Sequence, residues 1–115
     1  MKSYTDIEQC KKLAEILPIE SADMGWNVFV DDSTRCLPID DWDLSKNGEG
    51  GAKFIPCWSL TALLDVIPNV SLNAFKDGNW NVMVEHDGKM IYANKDNPIN
   101  ACFELILLLH EQKLL

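Results

Sequence analysis

Four cysteines are the residues of this 115-residue chain with the widest chemical scope: Cys10, Cys36, Cys57 and Cys102. They could form two disulfides or a zinc site with four thiolate ligands. Successive cysteines are 26, 21 and 45 positions apart, so no C-x2-C pair is present to pre-organise a metal. Cys10 and Cys102 also fall on the apolar faces of predicted helices, where a reduced cysteine packs as a small hydrophobe. The pattern favours reduced structural thiols, with no metal site and no cofactor.

Two histidines, His86 and His110, are the conventional bases available to a Ser or Cys nucleophile. We expect His86 to be solvated before a hairpin turn and His110 to be half-buried near a helix C-terminus, where positive charge is favoured. No G-x-S-x-G elbow or cysteine-protease signature accompanies them. The sequence therefore predicts that the protein is not an enzyme. The alternative, a small hydrolase or ligand-binding domain, needs a pocket that gathers a histidine with acids and a cysteine.

Acidic residues cluster around Trp42, which Asp40, Asp41 and Asp43 flank. The cluster lacks the alternating oxygen ligands, central Gly and terminal Glu of an EF-hand loop, so we predict a solvated loop. Exposed tryptophans often anchor protein interfaces. Trp42 and the three aspartates are therefore candidate partner-binding residues. Trp58, at the start of a predicted helix, is either a further candidate or a lid on the core.

The charge balance limits the partners. Lys plus Arg total 10 and Asp plus Glu total 18, which gives a net charge of −8. Nucleic acids and anionic membranes attract basic proteins, so neither is an expected partner. The chain shows no basic-then-apolar signal peptide at its start, and its apolar run Leu105–Leu109 is too short for a bilayer. We expect a cytoplasmic protein whose partner is another protein.

Turn signals and hydrophobic periodicity predict one α+β domain over residues 1–115. Strands at 70–75, 80–86 and 89–94 are separated by Asp77-Gly78 and Asp87-Gly88, dipeptides typical of antiparallel hairpins. The strand at 26–30 would make a sheet of three or four strands. An N-terminal helix capped by Thr5, a short central helix and a C-terminal helix are predicted to cover mainly one face. Residues 40–53, which are acidic and Gly-rich, are expected to form a mobile loop.

The C-terminal helix begins at Asn97-Pro98 and carries apolar residues over an arc of roughly 200° at 100° per residue. Covering that arc needs a sheet on one side and either the first helix or a second copy of the chain beside it. A homo-oligomer through this helix is therefore one prediction. Leu108 lies on the opposite side, so we expect it to be partly exposed and include it among the candidate partner-binding residues.

Two helix-Pro-strand segments resemble each other. The end of the first predicted helix, residues 13–18, resembles residues 63–68 of the central helix, at an offset of 50 residues. The Trp-led strand at 26–30 resembles the one at 80–84, at an offset of 54 residues. An internal duplication would make both Trp-led strands equivalent in one sheet. The alternative is that amphipathic helices ended by proline and Val-rich strands look alike without common origin.

The segment Ile55-Pro56-Cys57-Trp58-Ser59-Leu60 and the closing helix with Leu109-His110-Glu111 cover, with their surroundings, about a third of the chain. In these motifs the chain resembles a group of small proteins of unknown function that are encoded in phage and mobile-element regions of gut Bacteroidales. The resemblance implies a bacterial mobile-element context and assigns no catalytic or binding residue.

The sequence favours a non-enzymatic protein-interaction module, such as a phage or mobile-element accessory protein. It would bind through the acidic Trp42 region or the apolar surface of the last helix. The alternatives are an acidic nucleic-acid mimic that inhibits a DNA-binding protein, and the small hydrolase or ligand-binding domain described above.

Overall fold

The computed structural model describes residues 2–28, 34–38 and 53–115. Its elements, in chain order, are α1 (Ile7–Ala14), a 3-10 helix (Ile19–Ser21), β1 (Met24–Val28), β2 (Thr34–Pro38), β3 (Lys53–Cys57), α2 (Leu60–Val66), β4 (Ser71–Ala74), β5 (Trp80–His86), β6 (Lys89–Lys95) and α3 (Pro98–Glu111). Contacts divide the chain into two compact units. We call Thr5–Ser59 the N-terminal unit, and Met1–Tyr4 with Leu60–Leu115 the C-terminal unit.

Within the described ranges, each unit contains a three-stranded antiparallel sheet. The strand orders are β2-β1-β3 and β4-β5-β6. In the N-terminal unit α1 contacts β3, and in the C-terminal unit α3 contacts β5, β6 and α2. The predicted α+β class, with antiparallel strands and helices packed against them, is confirmed.

The C-terminal unit follows the predicted meander. Asp87 and Gly88 have φ angles of 52° and 77°, the pair of positive values that a type I′ hairpin turn requires. α3 starts as expected, because Asn97 accepts a hydrogen bond from the Asn100 amide (2.8 Å) and Pro98 occupies the first turn. Ile99, Leu105, Ile106 and Leu109 of this helix are buried within one chain, whereas Phe103 and Leu107 are half-buried. A homo-oligomer through this helix stays a prediction.

The N-terminal unit departs from the sequence prediction in two places. No strand was expected at β2, and Lys53, the last residue of the predicted loop, begins β3, while residues 40–52 of that loop lie outside the described residues. The cap of α1 is Asp6, not Thr5, and Asp6 forms its capping box with Gln9. Thr5 cannot fill that role because its side chain is fully buried and hydrogen-bonded elsewhere.

The two Trp-led strands do not share a sheet. Trp26 lies on β1 and Trp80 on β5, and each of these is the central strand of its own sheet. β1 is the first strand after α1, whereas β4 intervenes between α2 and β5. The two units therefore differ in connectivity, which does not match a simple duplication.

Candidate functional site

One side of the C-terminal sheet carries exposed apolar side chains. Strand alternation and register place three rows on this side: Asn73, Asn81 and Asn94; Ser71, Met83 and Tyr92; and Glu85 with Met90. We call these eight residues the outer face. The alternate residues Val82, Val84 and Ala93 are buried on the other side, consistent with α3 packing there. On the outer face Met90 is 51% exposed and Tyr92 is 56% exposed.

The strand that carries Met90 and Tyr92 is also an edge. Among the described residues no strand pairs with β6 on the side away from β5. The two-residue turn makes His86 and Lys89 a hydrogen-bonded pair. Along an antiparallel ladder, hydrogen-bonded pairs alternate with pairs whose backbone groups point away from each other. The backbone N–H and C=O groups of Met90, Tyr92 and Asn94 therefore point away from β5. All three residues are exposed, so this edge can accept another strand.

A depression of about 420 Å³ lies on the outer face, and its lining extends across the sheet from Ser71 on β4 to Met90 on β6. Met83 and Met90 supply apolar walls, and Glu85 and Asp87 supply carboxylates. Its described lining includes no Lys, Arg or His. The depression is therefore suited to bind an apolar side chain and a positively charged side chain of a partner.

The row of three asparagines holds a polar group without a partner among the described residues. Asn81 is 5% exposed, and its amide nitrogen donates to Asn94 Oδ1 at 2.7 Å. Asn81 Oδ1 is buried and has no hydrogen-bond partner among the described residues. Asn81 therefore carries the desolvation cost of its carbonyl without the compensating bond.

The histidines do not assemble a reaction centre within the described part of the chain. His86 is exposed, as expected, and its Nε2 lies 3.3 Å from Asp87 Oδ2. A second cavity, of about 280 Å³, includes His86, Glu85 and Leu109 but neither a cysteine nor a serine. His110 is exposed where we expected it to be half-buried, with Nδ1 at 3.0 Å from the Leu115 carbonyl oxygen.

Three of the four cysteines meet in the N-terminal unit, two of them at the hydroxyl of Thr5. Thr5 Oγ1 lies 3.0 Å from Cys10 Sγ and 3.4 Å from Cys57 Sγ. The Cys36 thiol donates to Cys57 Sγ, also at 3.4 Å. We call Thr5, Cys10, Cys36 and Cys57 the thiol cluster.

Backbone groups hold the thiol cluster in place. The Thr5 hydroxyl oxygen accepts the Trp58 backbone N–H at 3.1 Å, and the Thr5 N–H donates to the Trp58 carbonyl at 3.0 Å. The Trp26 indole N–H donates to the Thr5 carbonyl at 2.9 Å. Thr5, Cys10 and Cys57 are fully buried, whereas Cys36 is half-buried.

The contacts within the cluster set the order in which its thiols ionise. Hydrogen bonds from the Cys10 and Cys36 thiols lower the pKa of Cys57 although burial opposes this, and Thr5 assists. Their hydrogen bonds to Cys57, together with burial, raise the pKa of Cys10 and of Cys36. The same hydrogen bonds therefore favour negative charge on Cys57 over Cys10 and Cys36. All four cysteines of the chain are unpaired, and the described residues contain no group of three metal-ligating side chains arranged to hold a metal ion.

The predicted partner-binding residues have different outcomes. Trp58 is fully buried and donates its indole N–H to Ser21 Oγ at 2.9 Å, so it packs in the core and offers a partner no surface. Leu108 is half-buried, in agreement with partial exposure. The acidic Trp42 cluster, with Asp40, Asp41 and Asp43, lies outside the described residues and stays a prediction.

Neither the outer face nor the thiol cluster was expected from the sequence. Period-two alternation along β5 places Asn81, Met83 and Glu85 on the side opposite to Val82 and Val84. This pattern was a usable sequence signal for the outer face. The convergence of Cys10, Cys36 and Cys57 has no such signal, because it depends on how β1 pairs with a strand on each side.

Comparisons of the chain with protein-family models, with curated proteins and with solved structures found no match. No helix within the described ranges has the length and hydrophobicity needed to cross a membrane.

Proposed function

We propose that this protein is a non-enzymatic protein-interaction module that binds an extended segment of a partner protein along the edge of β6. The observation that carries the proposal is that Met90 and Tyr92 combine exposed apolar side chains with outward-pointing backbone groups. Backbone pairing would supply affinity, and pockets for alternate side chains would supply specificity, as in other cases of strand addition.

The chemistry of the outer face defines the partner segment. Side chains that point to the outer face would lie beside Met90 and Tyr92, next to the depression that contains Glu85 and Asp87. An apolar residue and an Arg or Lys two positions away fit this arrangement, because residues i and i+2 of a strand share a face. The net charge of −8 favours the approach of such a basic segment.

The ends of β6 restrict the length of the partner. Lys89 and Lys95 begin and end the strand, and lysines on an edge strand discourage indiscriminate pairing. A partner of about five residues fits between them. A cytoplasmic accessory role in a mobile element, which the Bacteroidales resemblance suggests, is compatible with such a module.

A displayed library of random peptides, selected for binding to the full chain, tests the proposal. We expect enriched peptides to contain an apolar residue and an Arg or Lys at i+2. Tyr92→Thr should weaken binding of an enriched peptide by at least about tenfold, since it removes a central contact. Ile19→Thr is the matched control, because Ile19 is 44% exposed in the N-terminal unit and lies outside the proposed site.

Two outcomes would reject the proposal. One is that enriched peptides show no such pattern. The other is that Tyr92→Thr and Ile19→Thr affect binding equally.

A further inference from the structure

The sulfurs of Cys36 and Cys57 approach each other on one face of the N-terminal sheet, where they are 3.4 Å apart. Cys36 is opposite Trp26 on β1, and Cys57 is opposite Met24, two positions away on the same strand. Side-chain alternation therefore places all four residues on one face. We propose that Cys36 and Cys57 form a binding site for one soft monovalent metal ion, Cu(I), held between their two sulfurs.

The strand between the two cysteines favours a bridging ion over a disulfide. Cys36 and Cys57 lie on β2 and β3, which flank β1. Two strand spacings of about 4.7–4.9 Å each separate their backbones, whereas a disulfide requires α-carbons within about 7 Å. A first-row metal ion lies about 2.3 Å from a thiolate sulfur, the distance known for zinc, so two thiolates on one ion are up to about 4.6 Å apart. The observed gap of 3.4 Å between the sulfurs has to widen by at most about 1.2 Å to admit the ion.

The ligands available select the kind of ion. Thiolates are soft ligands, which favour Cu(I) over hard cations such as Mg²⁺ and Ca²⁺. Structural zinc is almost always bound by four ligands, and within the described ranges no three His, Cys, Asp or Glu side chains are grouped to hold a metal ion. Cu(I) is stable with two thiolates, so this pair of cysteines is sufficient for Cu(I) and insufficient for zinc.

Burial and hydrogen bonding suit the two cysteines to this role. Cys36 is half-buried, so an incoming ion can contact its sulfur first, while Cys57 is fully buried and keeps the ion away from water. Thr5 Oγ1 lies 3.4 Å from Cys57 Sγ and can donate a hydrogen bond to it when Cys57 binds as a thiolate. Hydrogen bonds of this kind orient a metal ligand and tune its affinity for the ion.

Binding of the ion involves no electron transfer. Both sulfurs bind as thiolates, so any proton that a thiol carries passes to solvent as its copper–sulfur bond forms. Two thiolates and one Cu(I) give a complex of charge −1.

Anaerobic titration of the reduced full chain with Cu(I), in competition with the chromophoric chelator bicinchoninate, tests the proposal. We expect the chain to withdraw one Cu(I) from the chelator, and native mass spectrometry to show one copper on the monomer. X-ray absorption at the copper edge should show two sulfur ligands. Cys36→Ser and Cys57→Ser should each lose the ion. Cys102→Ser is the matched control and should retain it, since Cys102 is as buried as Cys57 and lies outside the thiol cluster.

Several results would overturn the proposal. They are failure of the unmodified chain to withdraw Cu(I) from the chelator, retention of Cu(I) by Cys36→Ser, loss of Cu(I) from Cys102→Ser, a copper ion shared between two chains, and three or more sulfur ligands on copper. A parallel titration with Zn²⁺ should show no binding that depends on Cys36, and such binding would also contradict the assignment. The copper stoichiometry and the sulfur count of the unmodified chain decide the matter even if Cys57→Ser does not fold.

Discussion

Replacement of Thr5 by valine should destabilise the N-terminal unit, because the hydroxyl of this fully buried residue is the acceptor for the Trp58 backbone N–H (3.1 Å). Valine has nearly the same shape but leaves that buried N–H without a partner. An unpaired buried donor costs about 1–3 kcal/mol. The contacts of the hydroxyl with Cys10 and Cys57 are lost as well, while the added methyl group recovers up to about 0.8 kcal/mol. We therefore expect the free energy of unfolding to fall by about 1–3 kcal/mol.

Urea unfolding followed by tryptophan fluorescence measures the change. With an m-value of about 1–3 kcal/mol/M, a loss of about 2 kcal/mol lowers the midpoint by roughly 1 M. Thr61→Val is the matched control, because Thr61 is exposed on α2, and it should change stability by less than about 0.5 kcal/mol. Equal midpoints for Thr5→Val and the unmodified chain would refute the role assigned to the hydroxyl.

Three further predictions concern the C-terminal unit. Leu105→Ala should lower the free energy of unfolding in urea by about 2–5 kcal/mol, because Leu105 is fully buried on α3. Leu108→Ala should lower it by less, because Leu108 is half-buried. Equal losses would contradict the assigned faces of the helix. Asn81→Leu removes a buried oxygen without a partner among the described residues, and the hydrogen bond it also removes is to Asn94, which is exposed and can bond to water instead. We expect the free energy of unfolding to stay unchanged or rise, and a loss above about 1 kcal/mol would contradict this reasoning. Burial raises the pKa of the Cys102 thiol to about 12 from an ordinary value of 9.0. The unfolded chain therefore loses this proton at lower pH than the folded chain. As the pH rises between these two values, the free energy of unfolding falls by about 1.4 kcal/mol per pH unit for this group. Cys102→Ala should make that alkaline decline shallower by the same amount, and an unchanged slope would be evidence against burial of the thiol.

The C-terminal unit could be predicted from sequence because its signals are local. Two Asp-Gly dipeptides mark the hairpins of β4, β5 and β6, and Asn97-Pro98 marks the start of α3. Each signal acts within a few residues, so it needs no knowledge of distant parts of the chain.

The strands β2 and β3 were missed because each is five residues long and contains a proline, Pro38 or Pro56. Proline argues against a central strand but is tolerated at an edge. Both strands are edges of their sheet among the described residues, with proline-free β1 between them. Their proline content was therefore a signal for edge position rather than for irregular structure.

The candidate sites depend on long-range pairing. Cys36 and Cys57 are 21 positions apart and lie on strands to either side of β1, and no spacing rule brings them together. The exposure of Tyr92 likewise depends on which side of the sheet α3 covers. Period-two alternation assigns residues to two sides of a strand, but it does not say which side stays open.

Amide hydrogen exchange along β6 tests the central claim most directly. In the free protein the outward amides of Met90, Tyr92 and Asn94 should exchange quickly, while those of Ile91 and Ala93, bonded to β5, exchange slowly. Addition of a library-selected peptide should slow exchange at those three outward amides, because they then donate to the added strand. Binding of the peptide with unchanged exchange at all three would contradict the proposed edge pairing.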